Sequence, residues 1–460
     1  MTVSLSLEDS PSARALRIIE DKVRRAGGRT WLVGGAVRDL LLNRRPEDWD
    51  VEVTGLSLDR LDTLLRNHFA VQLVGRAFGI FKIKGLPIDV SVPSRIPADH
   101  PSVADLRNRA DPAMDIDEAL ARRDFTINAM AWDPGTSELR DPFNGREDLA
   151  SRVLRHVSDR FAEDPLRVLR GMQLAARFEL APAPETVHLC STLSQEGQPT
   201  ERIWEEWKAL LLDGVKPSLG LAFLRESGWL RFYPELAALQ GCPQDPTWHP
   251  EGDVWTHTLH CMDWFAAERT GHEADDLVVG LAVLCHDFGK PLATTSDGGR
   301  VTSHGHEQQG EAPTRRFLER LTNQQRLIED VIPLVLCHLR PRQLYDAQAS
   351  DAAVRKLARQ AQRIDRLVRV ARADHAGRPP KPFDGFPAGE WLLDRAKRLD
   401  VETQAPPPIV MGRHLLELGV RPGPDMGLLL DACYEAQLDG VFSTLEEGLA
   451  YIRTHLARPR

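Results

Sequence analysis

WLVGGAVRDLLLNRRPEDWDVEVT, residues 31–54, decides how the first part of the chain folds. It opens on a β-like run, breaks at Gly34-Gly35, continues as an apolar helical stretch and closes on a second β-like run. Glycine at the break lets the backbone approach a ligand, and a helix N-terminus beyond it offers unpaired N–H groups to phosphate. Taken alone, the pair reads equally well as plain turn chemistry. Asp48 and Asp50 sharpen it. Residues i and i+2 of a strand share a face, so these carboxylates are expected side by side. Carboxylates that close repel unless divalent cations neutralise them, and Mg²⁺ suits oxygen ligands combined with nucleotide phosphates. Two such ions could activate a ribose 3′-hydroxyl and stabilise departing pyrophosphate. Asp89, in the later run IDVSV, is a candidate third carboxylate from a neighbouring strand.

Working outward, residues 9–26 read as a helix capped by Asp9 or Ser10, with Ala15, Leu16, Ile19 and Val23 at helical spacing and Gly27-Gly28 as its stop. Further β-like runs follow at 71–74, 79–83 and 88–92, with a helix-like stretch at 58–69 among them. Strands and helices mixed over this length predict a small α/β or α+β head. From about Arg155 the pattern becomes helix after helix. A weak boundary falls at 241–250 (GCPQDPTWHP) and a stronger one at 377–388 (GRPPKPFDGFPA), with Pro406 to Pro408 beyond. These read as linkers or extended surface segments. The last fifty residues look helical again.

The chain has 460 residues, too many for one domain, and 42% of them are hydrophobic. Its 58 basic residues against 67 acidic give a net charge of -9, so any nucleic-acid contact must be a local patch. Residues 152–177 and 355–372 are the two basic stretches, each either such a patch or a solvated helix face. Six scattered cysteines without a CxxC pair argue against a disulfide framework and a cysteine zinc site. No secretory signal and no apolar run of membrane-spanning length is evident, so the reading is a soluble cytoplasmic protein without a membrane partner.

A second constellation lies between His249 and Asp374. This stretch holds most of the chain's histidines, among them His257 (WTHTL), His286 beside Asp287 (LCHDFGK), His304 and His306 (SHGH) and His338 (LCHLR), and it ends on Asp374 (RADHAGR). Imidazole and carboxylate together suit Mn, Fe, Co, Ni, Zn or Mg. An adjacent His-Asp pair on a helix after LVVGLAVL is poorly explained as core.

With GGAVRD (34–39) and DWD (48–50), the segments RRDFTINAM (122–130), DPFNGREDL (141–149), EDPLRVLR (163–170) and ERIWEEWKALL (201–211) occur in one order. This series resembles the bacterial class II tRNA nucleotidyltransferases, the CCA-adding enzymes, and their poly(A) polymerase relatives. The resemblance covers about half the chain. It implies that Asp48 and Asp50 ligate Mg²⁺ with Asp89 beside them. It further implies that Gly34, Gly35, Arg38, Arg122, Arg123, Asp124 and Asn128 surround the incoming CTP or ATP. Glu163, Asp164, Arg167 and Arg170 would contact its base. Pro165 suits a first helical turn, and Leu166, Leu169 and Met172 form a buried stripe, leaving Asp164 and Arg167 to project together from another face. A carboxylate accepts from the exocyclic amine of cytosine or adenine while a guanidinium donates to a ring acceptor, so uracil and guanine are refused.

The order His257, His286-Asp287, Asp374 is similar to the HD phosphohydrolase superfamily, an all-helical fold. His306 and His338 sit where two-metal members carry extra ligands, and Lys290 would contact a substrate phosphate. The resemblance implies a divalent transition metal or Mg²⁺ there, with phosphatase and 2′,3′-cyclic phosphodiesterase activity that could clear tRNA ends for extension.

The expected architecture is therefore α+β. A nucleotidyltransferase head (1–150) precedes a helical neck and body (151–240), an HD domain (241–385) and a helical tail (386–460). Within the tail, about residues 400–460 read as a tRNA-body contact or an oligomer surface, the latter consistent with a homodimer. The loop between Ser94 and Arg122 is charged and proline-containing rather than Gly/Tyr-rich. It therefore leaves A-only, CC-only and poly(A) addition as alternatives to complete CCA addition by the head.

Overall fold

Ser10 accepts the N–H of Ala13 and opens a helix over Pro11–Arg25, whose buried face carries Ala15, Leu16, Ile19 and Val23 at the expected spacing. Gly28 follows, and a side chain there would strike Leu56, 2.7 Å away, and the Thr54 carbonyl, so the chain turns tightly into the first strand. The computed structural model describes residues 5, 7–74, 79–94, 111–298 and 300–456. The loop read for the number of nucleotides added falls largely on residues 95–110, outside the described residues.

One mixed sheet of seven strands forms the N-terminal part: β1 (Arg29–Val33), β2 (Trp49–Thr54), β3 (Val71–Val74), β4 (Ile80–Ile83), β5 (Ile88–Ser91), β6 (Ala131–Asp133) and β7 (Glu138–Arg140). Their spatial order is β3-β4-β5-β2-β1-β6-β7. Only the β2–β5 pair is parallel, and its register sets Asp50 directly beside Asp89. Trp49, Val51 and Val53 point into the core while Asp50 faces out. Alternation in β2 thus delivers its carboxylate to the open face. The α+β expectation is borne out.

The chain divides into two compact units, Met1–Gln198 with Ala222–Trp229, and Pro199–Leu221 with Leu230–Arg460. In the first, beyond the sheet, the helix Arg167–Phe178 buries Val168, Leu169, Met172 and Ala175. Gly171 lies where any side chain would meet the rings of Phe125 and Phe223 at 2.9 Å.

The second unit is helical, with one departure. A small hairpin, β10 (Thr295–Asp297) and β11 (Arg300–Thr302), interrupts the all-helical expectation; two-residue strands β8 (Val153–Leu154) and β9 (Ala181–Pro182) interrupt it likewise in the first unit. Trp207, Tyr233 and Phe317 pack edge to face in the helical core, and Trp207 Nε1 donates to Tyr233 Oη at 3.0 Å. Near the C-terminus, helices Pro424–Leu438 and Leu445–Leu456 enclose Val410, Leu415, Cys433, Phe442 and Ile452.

The stretch 355–372 is neither a free basic patch nor a solvated face. Arg366 binds Asp275 and Asp330, Arg369 binds Asp276, and Arg359 binds Glu435. These guanidiniums join helices within the unit. Among the described residues, no helix is long and apolar enough to cross a membrane.

Candidate active sites

Asp48, Asp50 and Asp89 line one cleft of about 520 Å³ with Gln72 and Lys82. Asp48 lies in the bend just before β2 rather than in the strand, as the spacing argument had placed it. Both aspartates are nevertheless exposed to the same cleft. Burial raises the Asp50 carboxyl, Arg123 opposes that, and the Asp89 and Asp48 charges raise it further. Three carboxylates gathered on one cleft repel one another, a setting in which a divalent cation is favoured. Asp89 is partly compensated, since Lys82 Nζ lies 2.8 Å from its Oδ2.

Gly34 caps the helix Gly35–Leu41 with φ +71 and ψ -142, a backbone region closed to other residues. A Cβ there would stand 2.7 Å from Arg123 Nη1 and 3.0 Å from Asp50 Oδ2. Arg123 is thereby held against the catalytic face, with Glu52 3.7 Å away on its other side. Gly34→Ala is expected to cost about 1–3 kcal/mol in backbone strain alone, measured by urea unfolding, and to push Arg123 off Asp50.

Behind this cleft a chain of polar contacts runs through the first unit. Arg38, buried and stacked over the Phe178 ring, donates to Asn128 Oδ1 at 2.6 Å. Asn128 donates to Asp124, which also receives Arg170 Nη1 at 3.3 Å. Asp124 is held below its usual pKa: burial raises it, but Arg170 and the Phe125 N–H outweigh that. The expected nucleotide residues from GGAVRD, RRDFTINAM and EDPLRVLR thus meet in one network.

Asp164 and Arg167 differ from the expected paired projection on a helix. Asp164 lies before the helix and accepts the N–H of Leu166 at 3.2 Å. Arg167 opens the helix and donates to the carbonyls of Arg160 and Arg122 at 2.9 and 2.8 Å. Glu163 lies 3.8 Å from Arg122. Pro165 sits ahead of the first turn rather than in it, while Leu166, Leu169 and Met172 are buried as expected.

In the second unit, His257 comes from the helix Val254–Ala267 and Asp374 from Ile364–Ala376. His286 and His338 each cap a helix C-terminus, so the His-Asp pair lies at a helix end rather than within it. His306 begins a short helix, and Gly289 packs beneath it, where a Cβ would be 1.9 Å from the His306 carbonyl. His286, His306 and His338 direct Nδ1 at the carbonyls of Val283, Ser303 and Val335, at 2.7, 2.8 and 2.7 Å. That assignment leaves each Nε2 as a lone-pair donor.

These lone pairs converge on Asp287. Its carboxylate oxygens are buried and accept no well-oriented hydrogen bond. Around them stand His286 Nε2 at 3.2 Å, His306 Nε2 at 3.3 Å, His257 Nε2 at 3.9 Å and His338 Nε2 at 4.0 Å. The Nε2 atoms of His306 and His338 are 3.3 Å apart, lone pair to lone pair in this tautomer. With both rings neutral no proton lies between them, and a cation there would take both lone pairs together with the Asp287 carboxylate, so the donor set fits a metal. His338 is pushed down to about 3 by burial and by His286 and His306, which keeps it neutral for ligation. Lys290 Nζ lies 2.7 Å from Asp287 Oδ2 and 2.7 Å from Gln244 Oε1.

Several residues around this centre escaped the sequence reading. Glu251 has a fully buried side chain, and its Oε1 lies 2.8 Å from Nδ1 of both His249 and His257. Burial opposes its ionisation, but the two histidines hold its pKa at about 2. Arg378 Nη2 lies 2.6 Å from Asp374 Oδ1, and the Gly377 carbonyl is 3.0 Å from His257 Nδ1. The proline-rich segment therefore begins as a wall of this site. Only the folded geometry reveals Glu251 and Arg378, although their partners His249, His257 and Asp374 lie within six residues of them; their local sequence signals turn and linker.

Two family models match the chain, the Poly A polymerase head domain over residues 30–155 and the HD domain over 254–376. The multifunctional CCA protein of Laribacter hongkongensis is 36% identical over 394 residues, covering 82% of this chain and 94% of that one. Its counterpart in Halorhodospira halophila is 33% identical over 407 residues, covering 86% and 92%. The chain belongs to the multifunctional CCA protein family. Solved relatives share the fold at lower identity. The CCA-adding enzyme of Bacillus stearothermophilus, solved with CTP, gives a TM-score of 0.66 at 22% identity, with 98% of each chain covered. That of Thermotoga maritima, solved with tRNA, gives 0.57 at 18% identity, with 97% and 96% covered. Membership bears out the resemblance read from the motifs, and both domains belong to metal-dependent families.

Proposed function

We propose that the chain adds C and A from CTP and ATP to tRNA 3′ ends and hydrolyses phosphoesters at a second, independent centre, acting in the cytoplasm. The observation that carries the first activity is the cleft where Asp48, Asp50 and Asp89 meet with Arg123 against Gly34. Its donor set is all carboxylate, the chemistry of Mg²⁺. Mg²⁺ bound there would activate the tRNA 3′-hydroxyl and neutralise the leaving pyrophosphate. Asp48 and Asp50 would hold the ion and Asp89 would complete the set. Arg38, Arg122, Arg123, Asp124 and Asn128 orient the sugar and triphosphate. Asp164 accepts from the amine of cytosine or adenine, and Arg167, braced by two backbone carbonyls, donates to the ring. The relatives' name and the solved neighbours with CTP, ATP and tRNA support this assignment.

For the second centre, His257, His286, Asp287, His306, His338 and Asp374 would hold one or two divalent ions. Imidazole-rich ligation favours a transition metal over Mg²⁺. Such an ion would supply an activated water and polarise the phosphoester. Lys290 contacts the substrate phosphate.

The deciding experiment supplies CTP and ATP separately to tRNA lacking CCA, tRNA ending in C and tRNA ending in CC. Complete CCA addition predicts C incorporation on the first two and A on the third. Incorporation of A onto the CC-ended substrate alone would replace this reading with an A-adding enzyme.

A further inference from the structure

The cavity above the His-Asp centre, about 400 Å³, is larger than a phosphate group requires and lies within the range of small-molecule sites. Its inner end is cationic and metal-binding, with Lys290, Arg378 and the histidines. Its outer end is different. Trp248 lines the mouth with its side chain 63% exposed, an unusual place for the largest apolar side chain. It is not loose. Thr247 N donates to Asp245 Oδ1, and the N–H groups of Trp248 and His249 both reach the Asp245 carbonyl. Lys381 donates to the carbonyls of Thr247 and Trp248 at 2.6 and 3.1 Å, and its ammonium lies 5.4 Å from the indole centroid. The next residue, His249, is tied through Glu251 to His257. A chain of hydrogen bonds therefore joins the backbone of Trp248 to His257 of the centre. Trp248 and Lys381 both lie outside residues 254–376, which match the HD model.

We propose that Trp248, braced by Lys381, is a stacking platform for the nucleobase of a phosphoester whose phosphate is held at the His-Asp centre. The base contact would make the centre favour a phosphoester that carries a nucleobase over base-free phosphoesters. An ammonium over one face of the indole leaves the opposite face for a base, and stacking tolerates any base because each has a π-face. The proposal rests on the phosphoesterase reading of this centre.

The test uses the full chain loaded with metal and compares adenosine 2′,3′-cyclic phosphate with glycerol 1,2-cyclic phosphate, a base-free analogue of the same ring. Trp248→Ala is expected to lower the kcat/KM preference for the nucleotide about tenfold to a hundredfold, the worth of one base–aromatic stack. Trp248→Phe is expected to keep most of the preference. Titration calorimetry with adenosine 3′-phosphate against ribose 5-phosphate gives a second reading independent of turnover. Trp248→Ala should weaken the first selectively. An unchanged ratio in kinetics and calorimetry, or equal losses on both ligands, overturns the platform. Wild type that hydrolyses neither ester overturns the phosphoesterase reading instead, and the calorimetric ratio still decides the stacking.

Discussion

Asp50→Asn is expected to lower nucleotide incorporation into tRNA by about a thousandfold or more, a loss of about 4 kcal/mol of transition-state stabilisation, while phosphoesterase turnover stays within about twofold. The substitution keeps the side chain's size and removes one charge. Asp50 pairs in register with Asp89 across the parallel β2–β5 contact, so it is flanked by carboxylates on the sheet's open face. Asparagine cannot supply the missing anionic ligand. Stability is expected to move the other way. The folded carboxyl holds its proton more tightly than the unfolded one, because burial and its acidic neighbours outweigh Arg123. Its ionisation therefore destabilises the fold, and stability falls as pH rises above the unfolded value of about 4. In metal-free buffer at neutral pH, Asp50→Asn should melt at a higher temperature than the parent. Scanning calorimetry checks this. A variant that melts lower would mean that Asp50 is a structural partner of Arg123.

Asp287→Asn is expected to remove phosphoesterase activity by about a thousandfold and to strip most bound metal, read by elemental analysis. Four imidazole Nε2 atoms lie within 4.0 Å of this carboxylate, and none satisfies it by a well-oriented hydrogen bond. Addition to tRNA with a free 3′-hydroxyl should persist. Addition to tRNA ending in a 2′,3′-cyclic phosphate should fail, because the end is no longer opened. If the variant extends the blocked tRNA as well as wild type does, the two activities are not coupled in this way.

The head was legible because its chemistry is local. Gly34-Gly35 after a strand, an acidic pair near the start of β2 and buried Leu166, Leu169 and Met172 all follow from short-range spacing. The histidine set was legible by residue type, since so many metal-type side chains rarely recur by chance. What escaped has its cause partly at long range and partly in local signals that point to turn or linker. Arg366 meets Asp275, 91 residues away, so a run of arginines that looks like a nucleic-acid patch is internal bracing. Glu251 follows a proline and precedes a glycine, which reads as a turn, yet it is buried between two histidines. Arg378 opens a segment whose prolines read as a linker, yet it binds Asp374. Asp48 shows the opposite limit. The i, i+2 rule predicted a shared strand face, and a bend before β2 reaches the same cleft by another path.

Three of the imidazoles at the second centre rest Nδ1 on the carbonyl three residues earlier, at Val283, Ser303 and Val335. That acceptor is main chain, present whatever side chain occupies the position. Point mutation at those supporting positions therefore cannot erase the tautomer that presents Nε2. His257 is the exception, since the Glu251 side chain shares its Nδ1 with the Gly377 carbonyl. Among the closest Nδ1 contacts of these four imidazoles, Glu251 is the one replaceable side chain, so changes at residue 251 are where divergence in metal preference among relatives should be sought first.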